Sequence, residues 1–170
     1  MGELKRLDVG CGQHPAGDVN VDLYPNGDGV ARRGGEEMDV KHVKNFVKAD
    51  AFHLPFSNET FDKVICSHTI EHTAEPFKLL KELVRVSKDT IVIRCPHGFG
   101  DTMRSLINGR CLGWNKKHHL SSFNHAWFTV AAARLRLDCE VSNSRFYCYP
   151  HRFIPLVTVP CEITAVLKKE

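Results

Sequence analysis

Two glycines and a carboxylate near the amino terminus have the types and spacing needed to hold a nucleoside. Gly10 and Gly12 follow a short apolar run that ends at Val9, and Asp22 ends the next apolar run. Glycine allows a positive φ, or the close approach of a ligand to the main chain. A carboxylate at a strand end can accept hydrogen bonds from both hydroxyls of a ribose, each worth about 1.5–3 kcal/mol. This spacing predicts a site for a ligand that carries several hydroxyl and amine groups.

Polar residues also end two later apolar runs. Asp50 follows the third run, and Ser67 and His68 follow the fourth. Ligands of open α/β sheets bind outside the carboxyl ends of the strands, so we expect these side chains to converge there. If a reaction at this edge needs a base, the candidates are His68, His97 and His119, because imidazole titrates near neutral pH.

Segments typical of strands alternate with segments typical of helices, which predicts a parallel sheet covered by helices. The predicted strands are short and rich in Val and Ile, and they span residues 6–9, 19–22, 45–49, 63–67 and 90–95. The predicted helices span residues 75–87 and 126–137. Two closing strands are predicted over residues 137–147 and 162–168, joined through residues 153–156.

Several segments resemble, in order, the class I S-adenosylmethionine-dependent methyltransferases. They are Asp8-Val9-Gly10-Cys11-Gly12, Val21-Asp22 and the run from Asp50 to Phe56. Residues 61–72 and 80–86 are similar to the small "type 11" branch of that family. The resemblance implies a single α/β domain over residues 1–170, with a Rossmann-like, doubly wound, mostly parallel sheet and an antiparallel C-terminal hairpin. It also implies methyl transfer from S-adenosyl-L-methionine to an acceptor that the sequence does not identify.

The resemblance also implies roles for individual residues. Asp22 would accept from the ribose hydroxyls, Asp50 from the adenine amine, and Asp8 would orient the glycine turn and reach the amino group of the methionine moiety. Ser67 and His68 would lie beside the reacting methyl group. The expected cofactor-binding residues are Asp8, Gly10, Gly12, Asp22, Leu23, Asp50, Ala51 and Ser67.

The first crossover departs from the family pattern. Only six residues separate Gly12 from Val19, whereas a parallel crossover usually needs about a dozen or more. We therefore expect a shortened crossover without its helix, which leaves one sheet face thinly covered, or covered by the partner subunit of a homo- or heterodimer. His14 also occupies the third small position of the glycine motif.

These departures favour an alternative to catalysis: a degenerate, non-catalytic methyltransferase-like binding module or partner of an active subunit. Asp22 and Asp50 argue for an active site, since a degenerate pocket would not need them. A nicotinamide-dependent dehydrogenase is disfavoured, because its acidic residue lies about 20 residues after the glycines and here the spacing is shorter.

The motif from His68 to His72 matches H-x-x-E-H, an arrangement found in zinc proteases. Because His68 follows a predicted buried strand, the two histidines need not share a helix face, and no metal is predicted. The long connection over residues 97–125 is basic and rich in histidine, and we expect it to select the acceptor.

Composition limits the partners. The net charge of +3 is spread along the chain, which does not predict a concentrated basic face, and nucleic acid stays open as an acceptor. No apolar run approaches the roughly 18 residues of a membrane helix, so no membrane partner is expected. Seven cysteines without a Cys-x-x-Cys motif favour reduced thiols and a cytoplasmic location.

Overall fold

The computed structural model describes residues 5–12, 14–23, 42–100, 120–151 and 154–169. Seven strands form one sheet: β1 Arg6–Val9, β2 Val19–Asp22, β3 Phe46–Lys48, β4 Phe61–Ser67, β5 Ser87–Pro96, β6 Leu137–His151 and β7 Ile154–Lys169. Two α-helices, α1 Pro76–Val86 and α2 His125–Leu135, accompany them, with a 3-10 turn over Ile70–His72.

The sheet is mixed, with the strand order β3-β2-β1-β4-β5-β7-β6. The first five strands pair in parallel, and β7 runs antiparallel to both β5 and β6. The predicted fold class is therefore confirmed, including the antiparallel hairpin at the carboxyl-terminal edge. Because the carboxyl ends of the parallel strands meet at one edge, the polar residues at or next to the ends of β1, β2 and β4 come together there.

The hairpin is longer than the sequence predicts. The predicted strands stop at residue 147 and restart at 162, but β6 continues to His151 and β7 begins at Ile154. Proline has no backbone N–H to donate to a neighbouring strand. Pro160 nevertheless pairs with Phe146, directly after two register shifts between β6 and β7. The predicted strands 6–9 and 19–22 match β1 and β2, and the remaining predicted elements differ from the observed ones by one to three residues at their ends.

Helix α1 is amphipathic, which explains where it lies. Pro76 occupies its first turn, where a missing N–H has no cost. Leu79, Leu80 and Leu83 are buried at the spacing of one helix face and pack toward β4 and β5. At the other helix, the side chain of Asn124 caps the amino terminus by accepting from the Trp127 N–H at 2.9 Å.

The two faces of the sheet differ. On one face, Leu7, Val64, Ile91 and Leu167 lie side by side and are fully buried. They share one core cluster with buried residues of α1 and α2. The opposite face carries a row of both charged and apolar residues. In register across the strands, they are Asp8, Ile65, Val92, Val166 and Glu140. Both described α-helices thus pack on the same face.

The connection from β1 to β2 is the shortened crossover that the sequence predicts. The N–H groups of Gly10 and Cys11 both donate to the Val21 carbonyl, at 2.8 and 3.1 Å, and fold the glycine turn back over β2. The Asp18 N–H donates to the Arg6 carbonyl at 2.9 Å. The residues of this connection that the structure describes contain no helix.

No helix in the described ranges is long and apolar enough to span a membrane.

Candidate functional site

The two glycines of the turn do different things. Gly10 has φ +74° and Gly12 has φ +54°, so both occupy the left-handed region that favours glycine. A Cβ on Gly10 would collide with the side chain of Thr69, whereas a Cβ on Gly12 would meet nothing within 4 Å. Gly10 therefore serves the packing of the turn against the segment after β4. Gly12 leaves open space against the backbone, where a ligand can approach.

Asp22 borders that space. Its side-chain Oδ2 accepts from the Gly12 N–H at 3.1 Å, and its carbonyl accepts from the Ala49 N–H at 3.2 Å. The end of β2 is thereby tied to the glycine turn on one side and to β3 on the other. This is the position that the sequence predicts for a ribose-binding carboxylate.

Asp8 lies deeper than the other acids of the site. It is buried, and its Oδ2 accepts from the Ala16 N–H at 2.9 Å, which anchors the shortened crossover over β1. Burial raises the pKa of Asp8, and the hydrogen bond from Ala16 opposes that rise. Its contact with the amino group of a methionine moiety stays a prediction.

Asp50 organises the turn after β3. Its Oδ1 accepts from the Phe52 N–H at 2.9 Å, and its Oδ2 lies 3.3 Å from His53 Nδ1. The hydrogen bond from Phe52 is the main cause that lowers the pKa of Asp50. Beside these acids, Ala51 packs against the core and Leu23 is 38% exposed. An exposed apolar side chain after Asp22 is suited to pack against a flat base.

Ser67 and His68 end β4 as predicted. The Ser67 hydroxyl oxygen accepts from Arg94 Nη1 at 3.4 Å, and its carbonyl accepts from the Thr69 hydroxyl at 3.2 Å. His68 has φ +53°, a conformation that costs a non-glycine residue about 1–3 kcal/mol and persists where its surroundings fix it. Its backbone N–H donates to the Arg94 carbonyl at 2.8 Å.

The ring of His68 lies between two carboxylates. Its Nε2 is 2.9 Å from Oε2 of Glu162, and its Nδ1 is 3.5 Å from Oε1 of Glu71. The Glu71 and Glu162 side chains are only 2% and 7% exposed, whereas that of His68 is 49% exposed. Hydrogen bonding to Glu71 raises the pKa of His68; the charges of Glu71 and Glu162 add to this rise and outweigh burial.

Sequence reasoning did not identify Glu162 or Glu71 as partners of His68. Glu71 falls inside both the H-x-x-E-H motif and the segment that resembles the family, and neither pattern indicates a contact with His68. Glu162 is separated from His68 by 94 residues, and no local pattern indicates that contact. Its sequence signal is a carboxylate at the start of a predicted strand that is mostly apolar, which is a position that needs a partner.

Of the two other predicted bases, His97 lies within the described residues and His119 does not. His97 follows β5, where its N–H donates to the Cys161 carbonyl at 2.9 Å and its ring centre lies 6.1 Å from that of His125. Burial lowers the pKa of His97, and the neighbouring His125 adds to this effect. His119 lies outside the described residues, as do Arg104 and Trp114 in the same connection.

The H-x-x-E-H segment does not have the geometry of a zinc protease helix. His68 precedes the 3-10 turn and His72 is the last residue of that turn, so the two histidines do not stand one turn apart on an α-helix. Within the described ranges, no group of three or more His, Cys, Asp or Glu side chains is placed to hold a metal ion.

Comparison with known proteins matches the first half of the chain to one family. The profile of the methyltransferase domain family matches residues 7–92. Cycloartenol-C-24-methyltransferase 1 of rice (Oryza sativa subsp. japonica) is 36% identical over 95 residues. That match takes in 50% of this chain but only 28% of the rice enzyme.

Solved structures show the same fold over the whole chain. A SAM-dependent methyltransferase from Thermotoga maritima aligns with a TM-score of 0.68 at 16% identity, over 100% of this chain and 84% of that one. Magnesium protoporphyrin IX methyltransferase from Synechocystis, with bound SAH, aligns with a TM-score of 0.60 at 16% identity, over 98% of this chain and 74% of that one. At such identities the likeness shows the fold alone.

Proposed function

Because the chain belongs to the methyltransferase domain family, whose methyl donor is S-adenosylmethionine, we propose that it transfers the donor's methyl group to an acceptor. The observation that carries this proposal is the pairing of Asp22 with the open backbone at Gly12. A buried carboxylate held at the rim of a glycine cradle is suited to a ribose and to the chain attached to it. The matched region is only 28% of the rice relative.

The residues at the carboxyl edge fit the donor. Asp22 would accept from the ribose hydroxyls, and Asp50 from the adenine amine, with Leu23 and Ala51 against the base. Asp8, Gly10, Gly12 and Ser67 would surround the methionine moiety. When bound, S-adenosylmethionine supplies a methyl group on a sulfonium, which needs only a nucleophile held in line with it.

The chain's own residues would supply orientation and a proton acceptor. Holding two reacting groups in line can account for about 7–11 kcal/mol of the barrier. His68 is the foremost base, because its ring is half exposed and the next residue, Thr69, packs against the glycine turn. His97 and His119 stay alternatives. In this proposal the connection over residues 97–125 selects the acceptor, and Arg104, Trp114 and His119 contribute to acceptor binding.

Calorimetry with S-adenosylhomocysteine tests the donor site directly. We expect binding to the parent chain, and a loss of affinity of about tenfold or more in Asp22→Ala, equivalent to about 1.4 kcal/mol. Asp138→Ala is the matched control, because Asp138 is exposed on the distant edge strand. If Asp22→Ala binds as tightly as Asp138→Ala, the ribose assignment is wrong.

The second candidate function is a non-catalytic binding module or partner of an active subunit. His14 is exposed in the position where the family has a small residue, and the first crossover lacks a helix in its described part. This candidate predicts that the chain binds S-adenosylhomocysteine. It also predicts that no tritiated methyl group passes from S-adenosylmethionine to any acceptor in a panel of amines, phenols and thiols. Transfer to one acceptor of the panel excludes it.

A further inference from the structure

Glu162 joins the carboxyl-terminal hairpin to the end of β4. We infer that Glu162 is a positioning residue for His68: it fixes the imidazole through Nε2, so that Nδ1 is the atom that takes the acceptor's proton. This inference rests on the proposed methyl transfer and assigns a role to a residue outside the segment that matches the family.

A register shift in the hairpin creates the arrangement. Asn143 pairs with Ile163 and Arg145 pairs with Glu162, so Ser144 is an extra residue in β6. Such bulges re-aim side chains and are common next to active sites. Here the Ser144 hydroxyl donates to Oε1 of Glu162 at 2.6 Å. Ser144 thereby anchors one carboxylate oxygen, and the other contacts His68.

The two contacts of the His68 ring are unequal. The contact of Nε2 with Glu162 is short, at 2.9 Å, and its carboxylate is anchored by Ser144. The contact of Nδ1 with Glu71 is at 3.5 Å, the limit of a hydrogen bond. When the cationic ring loses a proton, the better-anchored N–H is therefore retained at Nε2 and the lone pair appears at Nδ1.

The charges around the ring set its resting state. In the described part of the chain, the charged groups that face the ring are Glu71 from the 3-10 turn and Glu162 from β7. Oε2 of Glu71 is buried and has no hydrogen-bond partner among the residues that the structure describes. Two buried carboxylates are tolerated when a cation compensates them, and a protonated His68 is such a cation. The raised pKa of His68 agrees with this resting state.

The proton step follows from that resting state. The ring first releases its Nδ1 proton to solvent. The acceptor's proton then moves to the Nδ1 lone pair, and the electron pair freed on the acceptor forms the bond to the methyl carbon. The carbon–sulfur bond breaks with its electrons on sulfur, giving a neutral thioether. The ring ends as the imidazolium, with N–H groups facing both carboxylates.

Nitrogen-15 NMR of the histidine rings in the whole chain tests the inference, with His68→Gln used to assign the His68 signals. We expect neutral His68 to be the Nε2–H tautomer in the parent chain. In Glu162→Gln the tautomer preference should be lost and the pKa of His68 should fall. Glu140→Gln, an exposed position on the same hairpin, should change neither, and Ser144→Ala should have an effect in the same direction but smaller.

A neutral ring with its proton on Nδ1, or a tautomer unchanged by Glu162→Gln, would overturn the inference. Either result leaves the proposed function intact if S-adenosylhomocysteine still binds in calorimetry, so the two failures can be told apart. With an acceptor from the panel, kcat/KM should rise with pH through the pKa of His68, and the profile should move to lower pH in Glu162→Gln. A purely structural role would lower kcat/KM at every pH and leave the profile in place.

Discussion

The carboxyl edge of the sheet consists of two halves that are stabilised in different ways. Around β1 to β3, carboxylates accept from backbone N–H groups nearby in the chain, as Asp22 does from Gly12 and Asp50 does from Phe52. Around β4 to β7, carboxylates contact side chains, and His68 meets Glu162 from 94 residues away. In our proposal the first half is a cradle for a ligand, whereas the second is a proton-exchanging cluster whose geometry depends on the hairpin.

The largest effect is expected from a substitution at Gly10, where the two halves meet because the glycine turn packs against Thr69. Gly10→Ala places a Cβ against Thr69 in a residue with φ +74°. We expect the free energy of unfolding to fall by about 2–5 kcal/mol, combining left-handed strain with overpacking. Gly12→Ala shares the positive φ but meets no atom, so it should cost about 1–2 kcal/mol. Urea titration measures both.

A double variant separates the two causes. Thr69→Ala in the Gly10→Ala background removes Oγ1 and Cγ2, which the new Cβ would meet, but keeps the Cβ of residue 69 at 2.9 Å. It should therefore recover part of the overpacking and leave the strain. If Gly10→Ala and Gly12→Ala destabilise equally, contact with Thr69 does not explain why glycine occupies the first position.

The next effect concerns the cradle alone. Asp22→Asn keeps an oxygen that can accept from Gly12 but removes the charge that would meet the ribose hydroxyls. We expect S-adenosylhomocysteine affinity to fall by about tenfold, near 1.4 kcal/mol, with the free energy of unfolding changed little. Glu162→Gln should leave that affinity within about threefold. Equal losses in the two variants would show that the two halves are not separate.

The difference between the halves also explains what the sequence could predict. The cradle depends on residues within one strand and turn of each other, so Gly10, Gly12 and Asp22 could be recognised from type and spacing. The mostly parallel sheet and its antiparallel hairpin followed from alternating segments and the resemblance. The contact between His68 and Glu162 also needs a bulge at Ser144. The bulge has no signal in the local sequence, because it depends on the register between two strands.

A smaller effect concerns the pH dependence of stability in the second half. The pKa of His68 is raised above its ordinary value of 6.5. Its stabilising contribution is therefore fully present below that value and is lost as the pH rises through the pKa of the folded state. Glu162→Gln should lower the free energy of unfolding most between about pH 5 and 6.5. The loss should become progressively smaller as the pH rises above the pKa of His68 in the folded state. Urea midpoints across this range measure the difference, which Glu140→Gln should not reproduce.

The smallest effects test whether the cradle itself is uniform. The pKa of Asp8 is raised by burial, so Asp8 loses stabilising free energy as the pH rises from 3.8 through its folded-state pKa. The pKa of Asp50 is lowered by the Phe52 N–H, so its contribution is present above 3.8 and is lost as the pH falls through the folded-state pKa.

Asp8→Asn should therefore raise the free energy of unfolding at pH 7, and Asp50→Asn should lower it. Each change should stay below about 1 kcal/mol, because Asn can still accept the backbone hydrogen bond and Asp50 is partly screened by solvent. Urea titration at pH 7 and pH 4 measures both signs. If Asp8→Asn is the more destabilising at pH 7, the charged form of Asp8 is stabilised in the folded protein, and the cradle contains two acids of the same kind.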